Sequence, residues 1–251
     1  NIFDKETGFM RARNSNGEFK SPFDPLSVAN QGFIEGNAWN YSLYVPHDIK
    51  GFTKLIGGNE KLISWLDSLF TFELPEKYHE ESEDVTKHGI IGNYVHGNEP
   101  SHHVAYMYNF AGVPWKTQER IHQIVKEMYK PKPDGLCGND DCGQMSAWYI
   151  FSLLGFYPVA PASNQYVIGS PCVNSATINF ENGSKLKIIV KNYSEENIYI
   201  NEVYLNGEKI NRSFFTHDEI IKGGTIKFVM QNKPNINWCN NETSFPYSLT
   251  K

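Results

Sequence analysis

A chain of 251 residues with 40% hydrophobic and 14% aromatic content holds enough apolar material for one large globular domain or two modest ones. Its 28 acidic residues against 23 Lys and Arg leave a net charge of −5, which argues against nucleic acid or an anionic membrane as partner. There is no uninterrupted apolar run of about 18 residues, so no membrane span is expected. Four cysteines are too few for a disulfide framework, although Cys137 and Cys142 lie close enough in sequence for a small staple. The opening Asn1-Ile2-Phe3-Asp4 shows neither an initiator Met nor a signal peptide, as expected of a processed chain or a piece of a longer one. The Asn-x-Ser/Thr sequons beginning at Asn40, Asn182, Asn192, Asn211 and Asn241 carry little weight in an Asn-rich chain.

Residues 1–25 hold Gly8, Gly17, Pro22 and Pro25 and read as an irregular entry loop. From about Leu26 to Tyr44, Phe33, Trp39, Leu43 and Tyr44 recur near the 3.6 period, predicting a helix that Gly36 interrupts just after Glu35. Ile49 to Ile56 is a short amphipathic piece, and a firmer helix runs from Glu60 to Phe72 with Leu62, Ile63, Leu66 and Phe70 on one side. Residues 73–93 are charged and read as a surface connection. The run from His96 to His103 opens a helix in which Val104, Tyr108 and Ala111 share a face. Pro114 suits the first position of a helix to about Tyr129, which Pro131 and Pro133 stop. A last helix follows Gly143 and ends near Gly155.

After Pro158 the pattern becomes short β-branched runs around residues 166–168, 176–180, 185–190, 198–200 and 225–229, with hairpin-type Asn-Gly turns at 182–183 and 206–207. The expected fold class is mainly α with a β-rich C-terminal segment of antiparallel strands, divided into residues 1–162 and 163–251.

The stretch from Pro133 to Tyr149 sets Gly135, Gly138 and Gly143 around Asp140 and Asp141 at a helix mouth, where the dipole favours negative charge. One reading is structural: Asp141 caps the helix and Gln144, three residues on, completes a pair resembling a capping box. The other is chemical. Glycoside hydrolysis needs one carboxylic acid and one carboxylate flanking the scissile bond. Glu35 lies among Phe33, Trp39 and Tyr41, an apolar setting that keeps a carboxyl protonated, whereas Asp141 at a helix N-terminus stays ionised, as a base must. Asn98 and Glu99 offer hard oxygens that suit calcium more than zinc, the plain alternative being a Glu that merely favours a helix start. Adjacent His102 and His103 point about 100° apart on a helix, so one can touch substrate while the other packs. Trp39, Trp115 and Trp148 are candidates for stacking on a sugar face or for core packing.

The segments Glu35-Gly36-Asn37-Ala38-Trp39, Val45-Pro46-His47-Asp48, Gly97-Asn98-Glu99-Pro100-Ser101-His102-His103, Pro114-Trp115-Lys116-Thr117-Gln118 and Gly138 to Tyr149 closely resemble motifs of the glycoside hydrolase family 92 α-mannosidases, in order. The resemblance implies a calcium-dependent exo-α-mannosidase that inverts the anomeric carbon, often acts on α-1,2 linkages of mannose-containing glycans, and is secreted or periplasmic. It implies that this chain is the C-terminal portion, with the second half of an (α/α)6 barrel, and that an N-terminal β-sandwich domain is a missing partner. By the same resemblance Glu35 is the general acid, Asp141 the general base with Asp140 supporting, and Asn98 and Glu99 part of the Ca2+ site. Trp39, His102, His103 and Trp115 are the expected substrate contacts. Some members carry a further Asp two residues before the base; here Asn139 stands there. Two other classes stay open: a non-catalytic mannose-binding or structural fragment, and an (α/α)6 lyase with Tyr41 as proton acceptor.

Overall fold

The computed structural model describes residues 1–82 and 85–250. The first 36 residues run as turns, with isolated bridges pairing Phe3 with Met10 and Arg13 with Phe19. Asp4 ties them together, accepting from Arg11 Nη1 at 2.6 Å and from Thr7 Oγ1 at 2.8 Å. The helix expected over 26–44 shrinks to the single turn α1 (Ala38–Tyr41). Left-handed Asn30 (φ 58°) and Gly32 (φ 88°) break the period, and Asn37 caps α1 by accepting from the Asn40 N–H.

Helices α2 (Ile49–Ile56) and α3 (Asn59–Thr71) follow, separated by left-handed Gly57 and Gly58. A two-residue hairpin, β1 (Ile90–Ile91) and β2 (Tyr94–Val95), precedes a 3-10 helix over Val104–Ala111. All eight of its residues are buried, so the expectation of one shared face is corrected: a segment apolar on every side is enclosed on every side, here against α3 and α4 (Pro114–Met128). Pro114 stands at the first helical position, and α5 (Gln144–Leu154) ends at left-handed Gly155. Leu62, Leu66, Tyr106, Ile121 and Trp148 lie at the centre of this core. The 73–93 connection is not purely surface either. Leu74, Tyr78 and Val85 form a small core with Val28 and Val95, while residues 83 and 84 lie outside the described residues.

The β-rich part begins with β3 (Phe156–Tyr157) and β4 (Gln165–Ile168), followed by β5 (Ser175–Asn179), β6 (Lys185–Lys191), β7 (Tyr199–Leu205), β8 (Glu208–Ile210), β9 (Phe214–Thr216), α6 (His217–Ile221) and β10 (Gly224–Gln231). Five strands form a sheet in the order β5-β6-β10-β7-β8, and three form another in the order β3-β4-β9. The pairs are antiparallel as expected except β6–β10, which is parallel; the long crossover through β7–β9 and α6 makes it possible. The expected division at 162/163 is crossed by the pairing of β3 with β4. Tyr199 Oη donates to Glu119 at 2.5 Å, and Gln118 Oε1 accepts from the Ile200 N–H at 2.9 Å, fastening α4 to β7. Among the described residues no helix is long and apolar enough to cross a membrane.

Candidate active site

Glu35 leaves the chain from a bend just before the α1 cap and stands exposed. The apolar enclosure expected from its neighbours is not built by this chain. Phe33 and Tyr41 face each other at 5.5 Å, and Trp39 turns to Phe9, Trp65 and Phe72. Glu35 Oε2 instead accepts from Tyr41 Oη at 3.4 Å and from Asn98 Nδ2 at 3.3 Å. Gly36 makes room for the phenol ring: a Cβ there would lie 2.6 Å from Tyr41 Cε2.

Three buried amides bind this loop to the next one. Asn37 Nδ2 donates to Asn93 Oδ1 at 3.0 Å, and Asn40 Nδ2 donates to the Asn93 carbonyl at 2.9 Å. Buried polar groups are costly unless paired, so this network fixes α1 against residues 93–101 and sets the distance from Glu35 to Asn98.

Glu99 is half-buried, and burial raises its pKa first, followed by the nearby carboxylates of Asp141 and Glu35. The three acidic loops therefore converge. Two of them touch backbone to backbone: a Cβ on Gly138 would lie 2.6 Å from Gly97 Cα, and one on Gly97 would lie 3.0 Å from the Cys137 carbonyl oxygen. Only glycines allow that approach.

Gly143 stands at the N-cap of α5 without a capping side chain, and the carboxylate that meets the helix's first turn is that of Asp140 rather than Asp141. Asp140 Oδ1 accepts from the Ser146 N–H at 2.9 Å and from Ser146 Oγ at 3.0 Å. Asp141 (φ 44°), Cys142 (φ 59°) and Gly143 (φ 94°) are left-handed in succession, and Asp141 is exposed. Such a run costs about 1–3 kcal/mol per non-glycine residue and clusters at functional sites. Gln144 does not complete a capping box. Its Nε2 donates to His102 Nδ1 at 3.2 Å and to Tyr157 Oη at 3.1 Å. Cys137 and Cys142 are free thiols, so the expected staple is absent.

With Nδ1 accepting, His102 carries its proton on Nε2, which donates to the His96 carbonyl at 3.1 Å. His103 Nε2 donates to the Leu43 carbonyl at 2.8 Å. Burial lowers both imidazoles to about 4, so both are neutral framework groups at neutral pH. Of the two, His102 is tied to the Asp140–Asp141 loop through Gln144. Trp148 is a core residue whose Nε1 donates to the His102 carbonyl at 2.9 Å. The ring contacts of Trp39 and Trp115 lie elsewhere, Trp115 lying under Lys116 Nζ at 5.1 Å on α4. Sequence reading passed over His96, which links Tyr94 Oη (2.9 Å) to Tyr129 Oη (2.8 Å), and also Tyr157 and the Asn37–Asn40–Asn93 network. The available signal was the concentration of Asn, His and Tyr within otherwise apolar segments.

Asn98 Oδ1 and Glu99 Oε1 are buried without a hydrogen-bond partner. Orphaned buried oxygens are uncommon, and two hard ones on consecutive residues fit a calcium ion. Among the described residues no group of three or more His, Cys, Asp or Glu side chains is placed to hold a metal ion by itself. This chain would thus give a cation two side-chain oxygens and leave its other positions to water, carbonyls or sugar hydroxyls.

Residues 1–232 match the model of the glycosyl hydrolase family 92 catalytic domain. The fold is similar to that of a family GH92 α-mannosidase from Bacteroides thetaiotaomicron, with 44% identity and a TM-score of 0.90, covering 99% of this chain and 32% of that one. It is similar to an inverting mannosidase of the same family from B. thetaiotaomicron VPI-5482, with 34% identity and a TM-score of 0.87, covering 100% and 34%. An uncharacterized secreted glycosidase of Arthroderma benhamiae is 28% identical over 98% of this chain and 31% of its own length. The chain spans about a third of each of these relatives.

Proposed function

The chain belongs to glycosyl hydrolase family 92, and from that premise we propose that it carries the acid, base and calcium side of an exo-acting, inverting α-mannosidase with preference for α-1,2-linked mannose. The supporting observation is the convergence of Glu35, Asn98, Glu99 and Asp141 from three separate loops. In a single displacement Glu35 gives its proton to the glycosidic oxygen as the bond from that oxygen to C1 breaks. Asp141, exposed at a left-handed backbone position, takes a proton from the water whose oxygen bonds C1 on the opposite face. The products are β-mannose and the shortened glycan. Asp140 supports the base by holding the first turn of α5.

Asn98 Oδ1 and Glu99 Oε1 would hold the Ca2+. When bound, the ion supplies a fixed positive charge that binds sugar hydroxyls and favours ring distortion. We assign residues 1–162 to the second half of an (α/α)6 barrel, completed by the remaining helices and a β-sandwich domain of the kind the family carries. Export fits the likeness to a secreted glycosidase.

The test is hydrolysis of α-1,2-linked mannobiose by the full-length gene product, with and without a calcium chelator. Chelator-sensitive release of mannose is expected, and Glu35→Gln should lower kcat by roughly 10²–10⁴ while sparing sugar affinity. Full activity in that variant would refute the acid assignment. Mannobiose that binds but is never cleaved would favour the non-catalytic binding module instead.

A further inference from the structure

We infer that Tyr41 is a positioning residue that selects which oxygen of Glu35 delivers the proton: with Asn98 it occupies Oε2, which leaves the acid proton on Oε1. The inference rests on Glu35 being the general acid. A neutral carboxyl has one carbonyl-type oxygen, a good acceptor, and one hydroxyl oxygen that donates. Tyr41 Oη at 3.4 Å and Asn98 Nδ2 at 3.3 Å are both donors, and both meet Oε2. The contacts are long, as catalytic hydrogen bonds often are before substrate tightens them.

Within this chain Glu35 is exposed and its neighbour Ile34 is 81% exposed, so it is these two donors, rather than packing by this chain, that hold the carboxyl plane. The terminal torsion of Glu is broad and roughly two-fold, and a half-turn about it exchanges the two oxygens. Both donors are themselves fixed. Asn98 is 3% exposed, and the Tyr41 ring is seated on the bare backbone of Gly36 with Phe33 at 5.5 Å. Burial raises the Tyr41 phenol, so it keeps a proton to donate, and Asn98 Nδ2, which can only donate, fixes Oε2 as the accepting oxygen.

The experiment compares two substrates of the full-length gene product: α-1,2-mannobiose, whose leaving oxygen needs a proton, and 2,4-dinitrophenyl α-mannoside, whose phenolate departs without one. For Tyr41→Phe, kcat on mannobiose should fall roughly tenfold, a fraction of the 10²–10⁴ that general acid catalysis supplies. Its KM and its kcat on the aryl mannoside should be unchanged. Gly36→Ala, whose Cβ would push the ring aside, should show the same signature. Equal losses on both substrates, or no loss on either, would overturn the inference. Glu35→Gln is the control. If it shows the leaving-group dependence and Tyr41→Phe does not, only the positioning role fails; if it shows none, the acid assignment itself fails.

Discussion

The five-stranded sheet and the acidic loops are built on opposite principles. In the sheet, Leu186, Ile188 and Val190 on β6 and Ile226, Phe228 and Met230 on β10 alternate inward, and the strand ladder satisfies the backbone. Among the described residues its region leaves one buried side-chain donor, Trp238 Nε1, without a partner. In the loops, buried Asn40 and His102 donate to the Asn93 and His96 carbonyls, Asn37 donates to Asn93 Oδ1 and His96 bridges two tyrosine hydroxyls, while two consecutive residues keep unpartnered oxygens and three residues in a row are left-handed. A region complete in itself gives stability. A region with unmet valences, held rigid, is where a ligand finds partners.

The largest effect that would break this contrast is catalytic. Asp141→Asn should lower kcat by roughly 10²–10⁴, and because Asp141 is exposed its unfolding free energy should move by no more than about 0.5 kcal/mol. A variant that lost activity only by unfolding would make the acidic loops structural.

Next in size is calcium. Burial first, and then Asp141 and Glu35, raise the pKa of Glu99 in the folded chain. Ionised Glu99 therefore weighs against folding as pH rises through that range, and a cation offsets the cost. Calcium at a hundredfold excess over its Kd should stabilise by about 2.7 kcal/mol, read as a rise in Tm that Glu99→Gln diminishes.

A pair of glycines sharpens the comparison further. Gly138→Ala drives a Cβ to 2.6 Å from Gly97 Cα, and such overpacking costs about 1–3 kcal/mol and should separate the Asp140–Asp141 loop from the Asn98–Glu99 loop, removing activity. Gly183 (φ 83°) in the β region has nothing within 4 Å of its notional Cβ, so Gly183→Ala should cost about 1–2 kcal/mol of strain with kcat intact.

The smallest expected effect is in acid. Burial works against ionisation of Asp48, but hydrogen bonds from Thr250, Ser248 and the Gly51 N–H outweigh it and bring the pKa down to about 2. A depressed folded pKa gives stability that is fully present above the unfolded value of 3.8 and is lost as pH falls through about 2. Faster proteolysis of the residue 246–250 tail near pH 2 than at pH 5, abolished by Asp48→Asn, is the expected result.

Much of this was legible in the residues. The bounds of α2 to α5 followed from apolar period, Pro114, Gly57 and Gly155, and the turn at 206–207 followed from its Asn-Gly step, with Asn206 and Gly207 both left-handed. What escaped depended on tertiary context. Adjacent Asp140 and Asp141 are equivalent candidates for a cap until the backbone turns left-handed at 141, which leaves Asp140 to meet the first turn of α5 and frees Asp141. Val104–Ala111 has too little polarity for its burial pattern to reveal a face. The parallel pairing of β6 and β10 is a long-range choice that alternation within each strand does not encode.

The most direct test is the anomer first released from α-1,2-mannobiose by the full-length gene product, followed by proton NMR before mutarotation. The account predicts β-mannose, absent in Asp141→Asn and suppressed by chelation. Initial release of α-mannose would contradict single displacement by Glu35 and Asp141.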